Sequence, residues 1–269
     1  MDAFRIWLAN RPVQVGKTGE VRKRSLSHIE GCVLQLAAAI NSTPGQTAQF
    51  KPIQAKEVAV SPQYRADVAT LAAMFRYCLA PEGSAKEKVQ RMRERTSLLA
   101  YLRAAVATWA RPEEILDLGP GQWTAAAQVL NLNPPGRRQT KKFRGIIPIP
   151  AQFAPFLDEI DGPYLPTWPR SSWEKMRVAI GLPIERGQAG TKLIRRSMAT
   201  FVRKRIGEAN WRQGEMMLGH VKASISDIYA IPDPANLGLA LGATSAIIDE
   251  ICALVPGAYT PQHRSFTAA

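Results

Sequence analysis

The run LGHVKASISDIY, Leu218 to Tyr229, puts His220 nine residues before Tyr229 in a strongly basic chain. A phenol at that distance from a Leu-Gly-His turn suggests a nucleophile and its helper. The same tyrosine, ending a helical segment, could also be a half-buried packing residue with its hydroxyl in water. Two upstream clusters strengthen the chemical reading. In TWARPEEILDL, Thr108 to Leu118, Arg111 follows an apolar helix and Glu114 comes one turn later. In TKLIRRSMATFVRKR, Thr191 to Arg205, Lys192 and Arg195 are three apart and share one helical face.

With these residues in this order, the chain resembles the tyrosine recombinase (phage-type integrase) family. The catalytic domain of that family carries an Arg box, a Lys on a hairpin, a His-x-x-Arg box, a Leu-Gly-His turn and a nucleophilic Tyr. The resemblance runs from about Val60 to Leu254. It places Arg111 on the first arginine, Glu114 on the acidic residue after it, Arg195 on the second arginine, His220 on the Leu-Gly-His histidine and Tyr229 on the nucleophile. One box departs: Lys192 stands where the family has the His of His-x-x-Arg. A lysine donates hydrogen bonds to a phosphate oxygen but does not readily accept a proton while charged, so phosphate binding rather than general-base work is expected there.

The chemistry implied explains why these residue types belong together. Attack of a phenol on a DNA phosphodiester builds negative charge on the non-bridging oxygens of a five-coordinate phosphorus. Arginine meets that charge with a planar fork that is always ionised, which makes Arg111 and Arg195 the clamp. His220 would bond the same phosphate or assist proton transfer. A tyrosine with a pKa near ~10 needs cationic neighbours to attack as phenolate, and Arg195, His220 and Lys192 could supply them. The leaving 5′-oxygen needs a proton, which a lysine on a hairpin can deliver. RRQTKKFRGIIPIP, Arg137 to Pro150, reads as that hairpin: an apolar strand around Val129 to Leu132, a polar turn, then Ile146 to Ile149. Lys141 is assigned as the acid with Lys142 its close competitor, against a plain basic turn touching phosphate.

Composition points to the same class of partner. A formal net charge of +13 and a pI near 10.0 imply an anionic partner, and nothing in the sequence reads as a membrane span or anchor. Double-stranded DNA is the expected ligand, with Arg137, Arg138, Lys142, Arg144 and Arg196 as DNA-contacting candidates. The run Lys86 to Arg95 reads instead as an exposed, solvated helix start. The three cysteines, Cys32, Cys78 and Cys252, are far apart, with no disulfide or metal spacing, so a reducing cytoplasm, in association with the nucleoid, is expected. Glu113, Glu114 and Asp117 are neighbours, but two of them look like helix surface, so neither a metal nor another cofactor is expected.

Positioning these residues calls for a mainly helical fold with a small antiparallel sheet, like a tyrosine recombinase catalytic domain. Helices are expected over 64–79, 86–109, 112–118, 171–180, 192–206 and 211–218, with a short sheet over 128–149. Residues 1–56 read as a partial helical DNA-clamping region and linker, with a helix over 25–40 capped by Ser25 and a break at 43–52. The resemblance implies a larger clamping domain than these residues build. Residues 57–255 are the expected catalytic domain and 256–269 a tail. Leu237, Leu241, Ile247, Ile248, Ile251 and Leu254 form an apolar stripe that must be buried, either on its own domain or, as the resemblance implies, on a neighbouring protomer in a tetramer on two duplexes. The expected function is a site-specific recombinase or integrase that cuts and rejoins strands through a 3′-phosphotyrosine without metal or ATP. A type IB topoisomerase-like strand transferase and a catalytically idle DNA-binding relative are the alternatives.

Overall fold

The computed structural model describes residues 1–15, 20–45, 50, 53, 61–140, 142–185, 187–220, 233–234 and 237–261. It divides into two compact units, Met1–Pro62 and Gln63–Ala269. In the first, α1 (Asp2–Asn10) precedes a hairpin of β1 (Val13–Val15) and β2 (Glu20–Arg22), and α2 (Leu26–Asn41) follows. The Ser25 hydroxyl accepts the His28 amide at 3.2 Å, which starts α2 where the sequence predicts. Among the described residues of this unit Leu8, Ile29, Val33 and Ala37 are the buried apolar side chains, and Arg5 forks onto the buried Glu30 at 2.7 and 2.9 Å. Spacing predicts only helices here. Three-residue strands are too short to show a period of two, so the hairpin appears only in three dimensions.

The second unit is built around one long helix. In chain order its elements are α3 (Val68–Leu79), α4 (Ala85–Thr108), α5 (Pro112–Leu116), β3 (Trp123–Thr124), β4 (Val129–Asn131), β5 (Ile146–Pro148), α6 (Ala154–Asp158), α7 (Arg170–Ala179), α8 (Leu193–Ile206), α9 (Trp211–Met217) and α10 (Gly238–Leu254). A capping box between Ser84 and Glu87 opens α4. The first half of that helix is polar and solvated, whereas from Leu98 to Thr108 nearly every residue is buried. Helices α3, α7 and α8 pack on it, and α10 packs on α3 and α8. Tyr101 of α4 meets Trp168 and Trp173 edge-on at 5.4 and 5.9 Å. The sheet runs β3-β4-β5, all antiparallel, with Leu130 opposite Ile147 and both fully buried.

This is the expected mainly helical fold with a small sheet; β3, two residues long, adds a strand upstream of those predicted. Of the α10 stripe, Leu237, Ile247, Ile248 and Ile251 are buried within their own unit, Leu241 is partly buried and Leu254 is half exposed. The residues after α10, expected to begin a tail, are held down. Arg103, itself buried, donates to the carbonyls of Ala258 (2.6 Å), Gly257 (3.3 Å) and Thr260 (3.2 Å), and the Tyr259 hydroxyl donates back to the Arg103 carbonyl at 2.8 Å. Among the described residues no helix is long and apolar enough to cross a membrane. Burial pushes the Cys78 thiol up to about 12, which makes it an inert packing group.

Candidate functional site

The end of α4 sets the site. Trp109, fully buried, closes the helix in the left-handed region at φ 51°, a conformation costly for a residue with a Cβ. That twist frees its carbonyl from the helical ladder, and the Arg195 Nη1 donates to it at 2.7 Å. Two residues on, Arg111 caps α5, with Pro112 at the first helical position. Its backbone amide and its Nη1 both donate to the Glu114 carboxylate, and the same Nη1 donates to the Phe143 carbonyl at 2.9 Å.

Arg195 projects from the first turn of α8. Its Nη2 donates to the Leu218 carbonyl at 2.6 Å and lies 3.5 Å from His220 Nε2. Arg111 Nη2 reaches the same carbonyl at 3.5 Å. Glu114, 2% exposed, pairs with Arg111 and comes within 4.0 Å of Arg195, so one buried carboxylate lies against both guanidiniums. Burial, then the charge of Arg111, push Arg195 down to about 10 against the pull of Glu114 and Glu113, which leaves it charged at neutral pH. Burial, then Arg195 and Arg111, hold His220 below its ordinary value, and Glu215 and Glu114 oppose them. The imidazole is therefore a neutral donor and acceptor near pH 7.

The Leu-Gly-His turn follows α9, with the Gly219 amide on the Met216 carbonyl and the His220 amide on the Glu215 carbonyl, both at 2.9 Å. Gly219 has φ +59°, and a Cβ there would come 2.8 Å from the Phe143 carbonyl oxygen. Only glycine permits the turn to lie against the hairpin connection at the point where Arg111 is bonded.

Four of the predicted residues, Arg111, Glu114, Arg195 and His220, are thus brought together. Lys192 is exposed at the N-cap of α8. Lys142 is exposed on the hairpin connection with its Nζ 3.5 Å from Glu113. Burial acts to raise Glu113, but its own backbone amide, then Lys192 and Lys142, hold it below the ordinary carboxylate value. Glu113 lies beside the lysines near the arginine pair, a grouping that no local spacing reveals. Lys141 and Tyr229 lie outside the described residues.

The DNA-contacting candidates divide. Arg138 is exposed. Arg137 is tied to Asn133, donating to its Oδ1 at 2.9 Å, and Arg196 donates to the Gly187 and Gln188 carbonyls. Arg144 is a correction: it is 6% exposed and pairs with Asp117 at 2.8 Å, so it braces the base of the hairpin instead of facing outward. Among the described residues no group of three potential metal ligands occurs.

No protein-family model matches the chain, and no curated protein matches it in sequence. Among solved structures the fold is similar to that of the Tn1549 transposon integrase in complex with a circular intermediate DNA, with a TM-score of 0.51 and 12% identity over 84% of this chain and 79% of that one. At that identity the likeness is one of fold.

Proposed function

We propose that the chain is a DNA strand transferase of the tyrosine recombinase type, which cuts and rejoins one strand at a time through a 3′-phosphotyrosine. The observation that carries this reading is the convergence of Arg111, Arg195 and His220 about the Leu218 carbonyl, with Glu114 buried against both guanidiniums. Fixed, charged donors held by backbone carbonyls are what a phosphorus accumulating negative charge requires. The likeness in fold to a transposon integrase, and a net charge of +13, support DNA as the ligand.

In this mechanism Arg111 and Arg195 bind the non-bridging oxygens, and His220 hydrogen-bonds the same phosphate. Lys192 adds a third cation, and Tyr229 attacks. A hairpin lysine, Lys141 or Lys142, protonates the leaving 5′-oxygen; Arg138, Arg137 and Arg196 serve the flanking backbone. The phosphotyrosine conserves the energy of the broken bond, so rejoining needs no ATP. Recombination further requires two duplexes and a multimer. With the α10 stripe buried in its own unit, assembly through that helix would require it to leave this site or to use its outer face.

Tyr229→Phe tests the nucleophile. A denaturing gel of protein with labelled nicked DNA in chelator should show a covalent band in the wild type and none in the variant, with duplex binding nearly equal in both. A band that survives in Tyr229→Phe excludes this tyrosine. No band in either protein favours a DNA-binding relative without activity.

A further inference from the structure

A cleft of about 400 Å³ opens between the solvated half of α4 and the start of α7, on the far side of the long helix from its catalytic end. Measured along α4, Arg95 is about 20 Å from Thr108, at 1.5 Å per residue. Arg91 and Arg95, one turn apart on α4, face Lys175, Ser171 and Ser172 on α7, and Tyr77 closes the end. Spacings of three and four residues put the members of each set on one helical face.

Both arginines are fixed chiefly by carbonyls. Arg91 Nη1 donates to the Glu82 carbonyl at 2.7 Å, with the Glu87 carboxylate more distant at 3.8 Å. Arg95 donates to the Tyr77 carbonyl and lies over the Tyr77 ring at 3.7 Å. A carbonyl orients a guanidinium without cancelling its charge. The cleft's carboxylate, Glu94, already accepts from Gln90 at 3.0 Å, and the Ser172 hydroxyl bridges the two helices by donating to the Glu94 carbonyl at 3.1 Å. At the start of α7 the Arg170 and Trp173 amides are taken by the Trp168 and Pro169 carbonyls, which leaves the Ser171 and Ser172 amides at a positive helix end. Three cationic side chains against two carboxylates, Glu94 in the cleft and Glu87 beside Arg91, with a serine hydroxyl and helix amides, form a net positive receptor for a phosphoryl group.

We propose that this cleft binds a phosphate-bearing ligand, separately from the arginine pair at the far end of α4. Its volume is that of a nucleotide-sized group. The phosphate could belong to a DNA backbone that passes this face or to a small free phosphate ester, and one experiment tells them apart. The full chain is compared with R91Q/K175Q and with K86Q/K88Q, which removes the same charge from exposed positions outside the cleft. Calorimetry with pyrophosphate and anisotropy with a labelled duplex across a salt series are read together, and circular dichroism checks the fold of each protein.

A free ester predicts pyrophosphate binding that falls at least tenfold in R91Q/K175Q and is unchanged in K86Q/K88Q. A DNA phosphate predicts a salt slope reduced by about one per lost contact in R91Q/K175Q and by less in K86Q/K88Q. Either result supports the site. If the two variants behave alike in both measurements, the cleft is only part of a diffuse positive surface and the proposal fails. Neither readout requires cleavage, so the result is independent of the role given to Tyr229.

Discussion

Two guanidiniums that share one carbonyl repel each other, and Glu114 is what allows them to stay. Its side chain is 2% exposed and those of Arg111 and Arg195 are 15% and 11%, so water screens the repulsion poorly. Glu114→Gln keeps the shape but removes the counter-charge, and unfolding by urea should show a loss of about 3–5 kcal/mol, the usual cost of breaking a buried pair from one side. On the proposed mechanism Arg111→Ala and Arg195→Ala should slow cleavage by on the order of 10² or more with little change in duplex affinity, because each would remove a donor to charge that develops only during reaction. Equal cleavage by Arg195→Ala would require the site to be redrawn. His220 gives a pH signature. Its folded pKa is depressed by burial and by Arg195 and Arg111, against Glu215 and Glu114, so below about 6.5 the unfolded chain binds its proton first. Stability from this group should be flat above that pH and should fall as the pH drops from it toward the folded value. In His220→Gln that portion of the melting-temperature profile should disappear.

At the level of elements, Gly219 ties the Leu-Gly-His turn to the hairpin. Gly219→Ala must hold a positive φ and displace the Phe143 carbonyl, for a cost of about 1–3 kcal/mol. Because that carbonyl also accepts from Arg111, cleavage should fall more than binding. For α10, burial within its own unit means that Ile248→Ala, at a fully buried position, should destabilise by about 2–5 kcal/mol in chemical denaturation; a change under half a kcal/mol would show that the helix spends its time elsewhere. Signals confined to a few consecutive residues were legible in the sequence: the Ser25 cap, the apolar runs of β4 and β5, the Arg111 and Glu114 turn, the periodicity of α8. Contacts made by backbone across long sequence separations were not. The Leu218 and Phe143 carbonyls and the left-handed Trp109 carry no side-chain signature, β3 is too short for a period, and Arg144 reads as a surface cation until Asp117 is seen beside it. The solvated start of α4 over Lys86 to Arg95 was legible, whereas the residues of α7 that face it lie some eighty positions away and carry no local signal.

For the whole molecule, the two units differ in what they can bury. Among the described residues of 1–62 the buried apolar side chains are Leu8, Ile29, Val33 and Ala37, with the Arg5–Glu30 pair beside them, whereas 63–269 contain a continuous core on both sides of α4. Among the described residues the first unit buries far less apolar surface than the second. Limited proteolysis should therefore release a resistant fragment that begins near residue 63 and melts close to the full chain, while the first unit is degraded. A later cut, inside α3, would contradict this. The clamp of Arg103 on the carbonyls of residues 257–260 also sets a clock on biosynthesis. The acceptors are made more than 150 residues after the arginine, which at about 5–20 residues per second is roughly 8–30 s of translation. Until they emerge, the guanidinium in the buried C-terminal half of the central helix has none of these carbonyls to meet, and water must remain where the core will be. This unit can begin to collapse on the ribosome, but its centre closes only when α10 and the turn beyond it have been delivered.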